Sequence, residues 1–179
     1  SVCFQPHIVY LANSSALKIG ITRIVNMPTR WLDQGATQAL PILKVGSRRL
    51  SGHLETLIGT QIADKTDWRK LLKGEAEPLN LIEQRDQILE EFAPKIQTIR
   101  DEFSQNLEFD EHLEFLENEL PREFIYPVEQ YPEKIKSLNL DKTPKIRGVL
   151  QGIKGQYLLL DIGVINIRKY TGYELILRA

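Results

Sequence analysis

Two short β-forming runs near the start of the chain constrain most of what can follow. His7-Ile-Val-Tyr-Leu-Ala12 and Leu17-Lys-Ile-Gly-Ile-Thr22 are rich in β-branched and aromatic residues, and Asn13-Ser14-Ser15 between them supplies turn chemistry. This arrangement predicts a β-hairpin. A paired hairpin needs a third element to bury its apolar face. The next residues supply candidates. Pro28 fits the first turn of a helix through Thr29–Gln34, with Gly35 as its stop. Ala39–Val45 reads as a third strand, and Pro41 within it argues for an edge strand or a strand start. Over residues 48–63, Leu50, Leu54, Leu57, Ile58 and Ile62 recur at helical spacing and form one apolar stripe. The first module is therefore β-β-α-β-α, followed by a short helix from Lys65-Thr-Asp-Trp-Arg69 that Gly74 ends.

The remainder changes character twice. Residues 79–104 predict a long amphipathic helix whose stripe includes Leu81, Ile88, Leu89, Phe92, Ile96 and Phe103, with Pro94 expected to kink or split it. Asp110–Glu119 predicts a further helix with Leu113 and Leu116 facing inward, and Pro121, Pro127 and Pro132 mark a loop-rich connection. Ile146–Gln151, Gln156–Asp161, Val164–Tyr170 and Tyr173–Leu177 read as four short strands punctuated by Gly152, Gly155, Gly163 and Gly172. That spacing suggests an antiparallel meander or a small barrel. The expected architecture is α+β in three segments: a module over 1–74, an acidic helical connector over 75–120, and a small antiparallel β domain over 121–179.

Charge follows the same divisions. Residues 1–74 carry ten basic and four acidic side chains, residues 75–120 carry three and fourteen, and residues 121–179 carry ten and six. The net charge of −1 thus hides an excess of +6, then −11, then +4. A basic block beside an acidic one is a hint about partners rather than fold. The acidic block reads either as a solvated helix face or as a shield beside the basic segment. A single cysteine, Cys3, excludes a disulfide framework and points to a reducing, cytoplasmic setting. Cys3 is an ordinary thiol or the last member of a metal cluster lying upstream. No apolar run is long enough to span a membrane, so no membrane partner is expected.

Tyr10, then Lys18-Ile19-Gly20, then Arg30 on the next helix and Glu55 on the one after form an ordered set that resembles the GIY-YIG nuclease superfamily. The resemblance covers roughly residues 7–65 and includes the β-β-α-β-α order. Two positions depart from that pattern: Ile8-Val9 replaces the first-strand Gly-Ile, and Lys18 replaces the second tyrosine. Over nearly the whole chain the sequence is also similar to an uncharacterised bacterial family of unknown function. The segments are Tyr10-Leu-Ala-Asn-Ser-Ser15, Lys18-Ile-Gly-Ile-Thr-Arg23, Pro28-Thr-Arg-Trp-Leu-Asp-Gln-Gly-Ala36, Ala63-Asp-Lys-Thr-Asp-Trp-Arg69 and Gly152-Ile-Lys-Gly-Gln-Tyr157.

The nuclease resemblance implies a metal-dependent phosphodiesterase. Glu55 would hold Mg²⁺ or Mn²⁺ through one carboxylate, Arg30 would contact non-bridging phosphate oxygens, and Tyr10 or Lys18 would orient or deprotonate the attacking water. Candidate nucleic-acid contacts are Arg23, Arg48, Arg49, Lys65, Trp68 and Arg69. Each residue has a plainer reading. Tyr10 suits a buried strand position, Lys18 and Arg23 suit edge-strand charges, and Glu55 suits a solvated helix face. Asp67 is a good helix N-cap, which would make Trp68 a core anchor instead of a cleft-lining ring. Lys145, Arg147, Lys154, Arg168 and Lys169 among Tyr157, Tyr170 and Tyr173 form a second basic, aromatic stretch that suits a nucleic-acid surface or a dimerisation or packing module. On the same residues, the alternatives to an enzyme are a non-catalytic nucleic-acid-binding protein and a protein-interaction scaffold.

Overall fold

The hairpin forms as the sequence dictates. In a computed structural model, which describes residues 5–62, 67–106 and 112–178, β1 (His7–Asn13) pairs antiparallel with β2 (Leu17–Arg23), placing Tyr10 opposite Gly20. On its other side β1 pairs antiparallel with β3 (Gln38–Val45). β1 is therefore an interior strand, and every residue in it is buried. Its side chains divide by alternation: Val9 and Leu11 enter one core, Ile8, Tyr10 and Ala12 the other.

β3 carries a bulge that explains its unusual apolar pattern. Val9 pairs with Leu43 and Tyr10 with Pro41, so Ile42 has no partner across the strand pair. The extra residue lets Leu40, Ile42, Leu43 and Val45 all enter the same core. β3 is not an edge strand, and Pro41 does not start it. β4 (Leu113–Phe115) pairs along Leu43–Val45 and β5 (Arg122–Glu123) along Gln38–Ala39. Pro41 is tolerated because it lies between these two pairings, where its missing N–H interrupts no outer ladder.

The helices cover the sheet. α1 (Thr29–Asp33) lies on the Tyr10 face with Trp31 fully buried, and Gly35 ends it at φ +67°. α2 (Arg48–Gly59) buries Leu50, Leu54 and Ile58 on the opposite face. It ends before Ile62, which is buried beyond the helix. Ser47 caps α2 by accepting the Leu50 N–H at 3.1 Å. α3 (Trp68–Leu71) is capped by Asp67, whose Oδ1 accepts from the Arg69 and Lys70 N–H groups. α4 (Leu81–Asn106) runs through Pro94 without splitting and sends Leu81, Ile88, Leu89, Phe92 and Ile96 into the core shared with α2. Its acidic side chains Glu83, Asp86, Glu90 and Glu91 face solvent.

Two further expectations are corrected. Residues 113–115 form β4, not a helix, and the first part of that segment (110–111) lies outside the described residues. Leu113 and Leu116 are three apart, but they serve opposite faces of the sheet, because the local period is two rather than 3.6. Glu114 points outward and pairs with Lys44 at 3.0 Å. The C-terminal sheet has three strands, not four: β6 (Leu150–Lys154), β7 (Tyr157–Leu160) and β8 (Gly163–Asn166), antiparallel in that order. After β8, Asn166 accepts the Arg168 N–H and starts a 3-10 turn over Ile167–Tyr170. Tyr170 is buried, and its hydroxyl accepts the Leu140 N–H at 3.0 Å. The chain is thereby turned off the sheet, and Tyr173–Leu177 pairs with no strand among the described residues. The whole is a mixed α+β fold with two antiparallel sheets and, among the described residues, four helices. No described helix is long and apolar enough to cross a membrane.

Specific polar contacts join the second sheet to the first module. The Tyr126 hydroxyl is directed at the Ala36 carbonyl at 2.9 Å and the Leu32 carbonyl at 3.2 Å, beyond the end of α1. Lys154 is 0% exposed, and its Nζ donates to the Gly74 carbonyl at 2.8 Å and to the Tyr131 hydroxyl at 3.4 Å. The rings of Tyr126 and Tyr131 flank the ammonium. Removing the amine leaves the Gly74 carbonyl without that donor. Lys154→Met is therefore expected to cost about 1–3 kcal/mol of unfolding free energy, read by urea denaturation with an unchanged slope.

Candidate functional site

The site begins with one buried phenol. Tyr10 is 0% exposed on β1 and donates to Gln34 Oε1 at 2.8 Å. The edge of its ring meets the buried Trp31 ring, with centroids 5.7 Å apart. Gly20 is the space that the ring occupies: a Cβ there would lie 2.7 Å from both Cζ and the hydroxyl oxygen. Tyr10 and Gly20, read separately in the sequence, are thus one packing unit. Arg30 and Gln34 come from α1 and the turn after it, one helical turn apart, so both reach the same phenol.

Burial pushes the Tyr10 phenol above its ordinary value, against the Arg30 guanidinium and the hydrogen bonds, which pull it down. The Glu55 carboxylate on α2 is close enough to add a smaller upward push. Tyr10 therefore has Arg30 and Gln34 against its hydroxyl and Glu55 within electrostatic reach. Glu55 is half-buried.

Beside this cluster lies a groove of about 310 Å³ lined by Lys18, Arg30, Asp33, Gln34, Trp68, Leu71, Gln156, Tyr157 and Arg168. Lys18 is 9% exposed and lies on the same face of β2 as Gly20. Arg30 and Lys18 share this groove, while Tyr10 lies beneath it. Trp68 is half-buried and stacks on Tyr157, with planes 6° apart and centroids at 6.2 Å. The Arg69 guanidinium covers the Trp68 ring at 4.5 Å. Asp67 does cap the helix, and Trp68 nonetheless lines the cleft, so the two sequence readings of that stretch are compatible.

The other candidates are elsewhere. Arg23 ends β2, five residues from Lys18 and therefore roughly 16 Å along the strand. Arg48 and Arg49 line a separate hollow between α2 and α4 with His53, where Arg49 and His53 both pack on Phe103. Lys65 lies outside the described residues, as does Cys3. Gln34 was not singled out in the sequence, and Arg168 and Tyr157 were grouped with a different surface. No local signal links them to Tyr10, because tertiary packing brings them there.

Two carboxylates stand near the cluster: Asp33, which lines the groove, and Glu55 on α2, the one that the nuclease resemblance assigns to a metal. Among the described residues no three His, Cys, Asp or Glu side chains group as a metal site. A single carboxylate fits an ion such as Mg²⁺, which keeps several waters and takes its remaining ligands from substrate phosphates.

The buried phenols also set an alkaline limit. Burial pushes Tyr131 up to about 12, helped by Glu75, and raises Tyr126 as well. A phenol whose folded value is raised contributes stability that is complete below about pH 10 and lost as pH climbs through the folded value. Lys154 has the opposite sign, since burial lowers it, and its term favours folding more as pH rises toward its ordinary value of 10.5. With Tyr10, Tyr126 and Tyr131 together against one lysine, stability is expected to fall between about pH 10 and 12. A Tyr131→Phe variant should fall less steeply over that window when melting temperature is followed against pH.

No curated protein matches this chain, and no solved structure matches it. The family model described as a protein of unknown function (DUF2797) matches residues 1–175, and the chain belongs to that family.

Proposed function

We propose that this member of the DUF2797 family is a divalent-metal-dependent phosphodiesterase acting on nucleic acid, built on a GIY-YIG-like first module. The observation that carries the reading is that Arg30 and Gln34 both meet the Tyr10 phenol, with the Glu55 carboxylate within electrostatic reach, while Arg30 and Lys18 share one groove. Hydrolysis forms a bond from water oxygen to phosphorus and breaks one ester bond, and the transition state carries added negative charge on the non-bridging oxygens. Arg30 answers that charge with a planar pair of donors. Glu55 is the residue that would hold Mg²⁺ or Mn²⁺, which when bound supplies further charge stabilisation at the phosphate.

Tyr10 takes the role of a positioning residue. Its hydroxyl is buried and holds its proton at neutral pH, so it fixes Arg30 and Gln34 rather than accepting the proton of the attacking water. That proton goes to solvent, with Lys18 in the groove to orient the attacking water. The test is incubation of end-labelled single-stranded, duplex and branched oligonucleotides with Mg²⁺, Mn²⁺ or EDTA. Product in the metal samples and none with EDTA supports the reading. No product from any substrate with either metal rejects it in favour of binding without turnover.

A further inference from the structure

The groove has a second wall that the motif residues do not supply. It is the β6–β7 turn and the 3-10 turn after β8, which bring Gln156, Tyr157 and Arg168 to the same cavity as Lys18 and Arg30. This wall is fixed in place. Gly155 sits at φ +58°, and a Cβ there would lie 3.0 Å from the Asp33 carbonyl oxygen and the Gly35 nitrogen, so the turn rests directly on the end of α1. Lys154, next to Gly155, is tied to Gly74, and Tyr126 to Ala36 and Leu32.

The chemistry of the two walls is complementary to a polyanion. Lys18, Arg30 and Arg168 face one cavity against a single carboxylate, Asp33. Arg168 is exposed and forms no ion pair with a carboxylate among the described residues. Trp68 is held between the buried Tyr157 ring and the Arg69 guanidinium, which sets a further cation beside the groove. Cations along a narrow groove are one element of single-strand recognition. The volume of about 310 Å³ is at the small end of ligand pockets, which run from about 300 to 1,000 Å³. That is room for about one nucleotide unit, which favours a single strand over a paired one.

We propose that the second sheet completes the site: Arg168, with Arg69 held on Trp68, faces Lys18 and Arg30 and holds a single-stranded nucleic acid that threads between the two sheets, and a duplex is excluded. This rests on the reading above only in taking the groove to bind nucleic acid. The test is fluorescence anisotropy in EDTA with a labelled dT12 and a blunt duplex of the same length, on the wild-type chain, Arg168→Ala and the charge-matched control Lys169→Ala. Lys169 is exposed and is the next residue in the chain.

The expected result is dT12 binding at least about tenfold tighter than duplex. Arg168→Ala should weaken dT12 binding about tenfold and reduce the salt slope by about 0.7, while Lys169→Ala changes affinity less than twofold. Equal binding of duplex and dT12 overturns the proposal, as does equal weakening by the two substitutions. The phosphodiesterase reading fails separately: Arg168-dependent dT12 binding without any cleavage in metal leaves the single-strand site standing. Cleavage of duplex alone does the reverse.

Discussion

Gly20→Val should destabilise the protein by about 1–3 kcal/mol, the usual cost of overpacking a closed site, and release Tyr10 from Gln34. The added Cβ alone would lie 2.7 Å from the end of the Tyr10 ring. A flexible side chain could swing away, but this ring is fully buried, braced by Trp31 and held at its hydroxyl by Gln34. Valine's preference for strands, worth less than about 1 kcal/mol, offsets only part of the cost. In a Tyr10→Ala background the same substitution should be close to neutral, giving a coupling of roughly 1–3 kcal/mol in a double-mutant cycle by urea denaturation. Additive effects would mean that the two motif residues are not one unit.

The second large effect concerns turnover. Arg30→Ala is expected to lower metal-dependent cleavage about 10²–10³-fold, the usual loss when one preorganised charge-stabilising donor is removed. The melting temperature should barely change, because Arg30 is only half-buried. Arg30→Lys should restore little, since an ammonium cannot present two parallel donors to a phosphate. The loss has a second readout independent of cleavage. Arg30 lowers the Tyr10 phenol, so its removal should move that phenol further up, read as the difference between spectrophotometric titrations of Arg30→Ala and wild type. An Arg30→Ala protein that cleaves at the wild-type rate would remove Arg30 from the site.

Local patterns carried much of the first module. The hairpin, α1, α2 and the Asp67 cap follow from alternation, helical spacing and cap chemistry, each within a few residues. The failures share a cause in long-range pairing. Pro41 looked like an edge residue because the gap between β4 and β5 is formed by residues more than 70 positions away. Leu113 and Leu116 looked like one helical face because nothing nearby shows that a sheet lies between them. Tyr173–Leu177 has strand composition, yet the buried Tyr170 takes the chain off the sheet before it can pair. The candidate site divides the same way. Tyr10, Lys18, Gly20, Arg30 and Glu55 stood out through their order along the chain. Gln34 and Arg168 join them only through the closure of α1 on β1 and of the second sheet on α1. The charge blocks fit this picture: the basic segments supply both walls of the groove, while the acidic side chains of α4 face solvent over the opposite side of the first sheet.

The proposed phosphodiesterase site depends on Glu55 acting with Tyr10 and Arg30. The most direct measurement is the single-turnover rate of cleavage of a labelled single strand in Mg²⁺, for wild type and Glu55→Ala at matched, saturating protein. A metal-dependent rate is expected for wild type and a loss of at least about 100-fold in the variant, a size typical of removing a group that stabilises transition-state charge, with substrate still bound. Equal rates for the two proteins would contradict it.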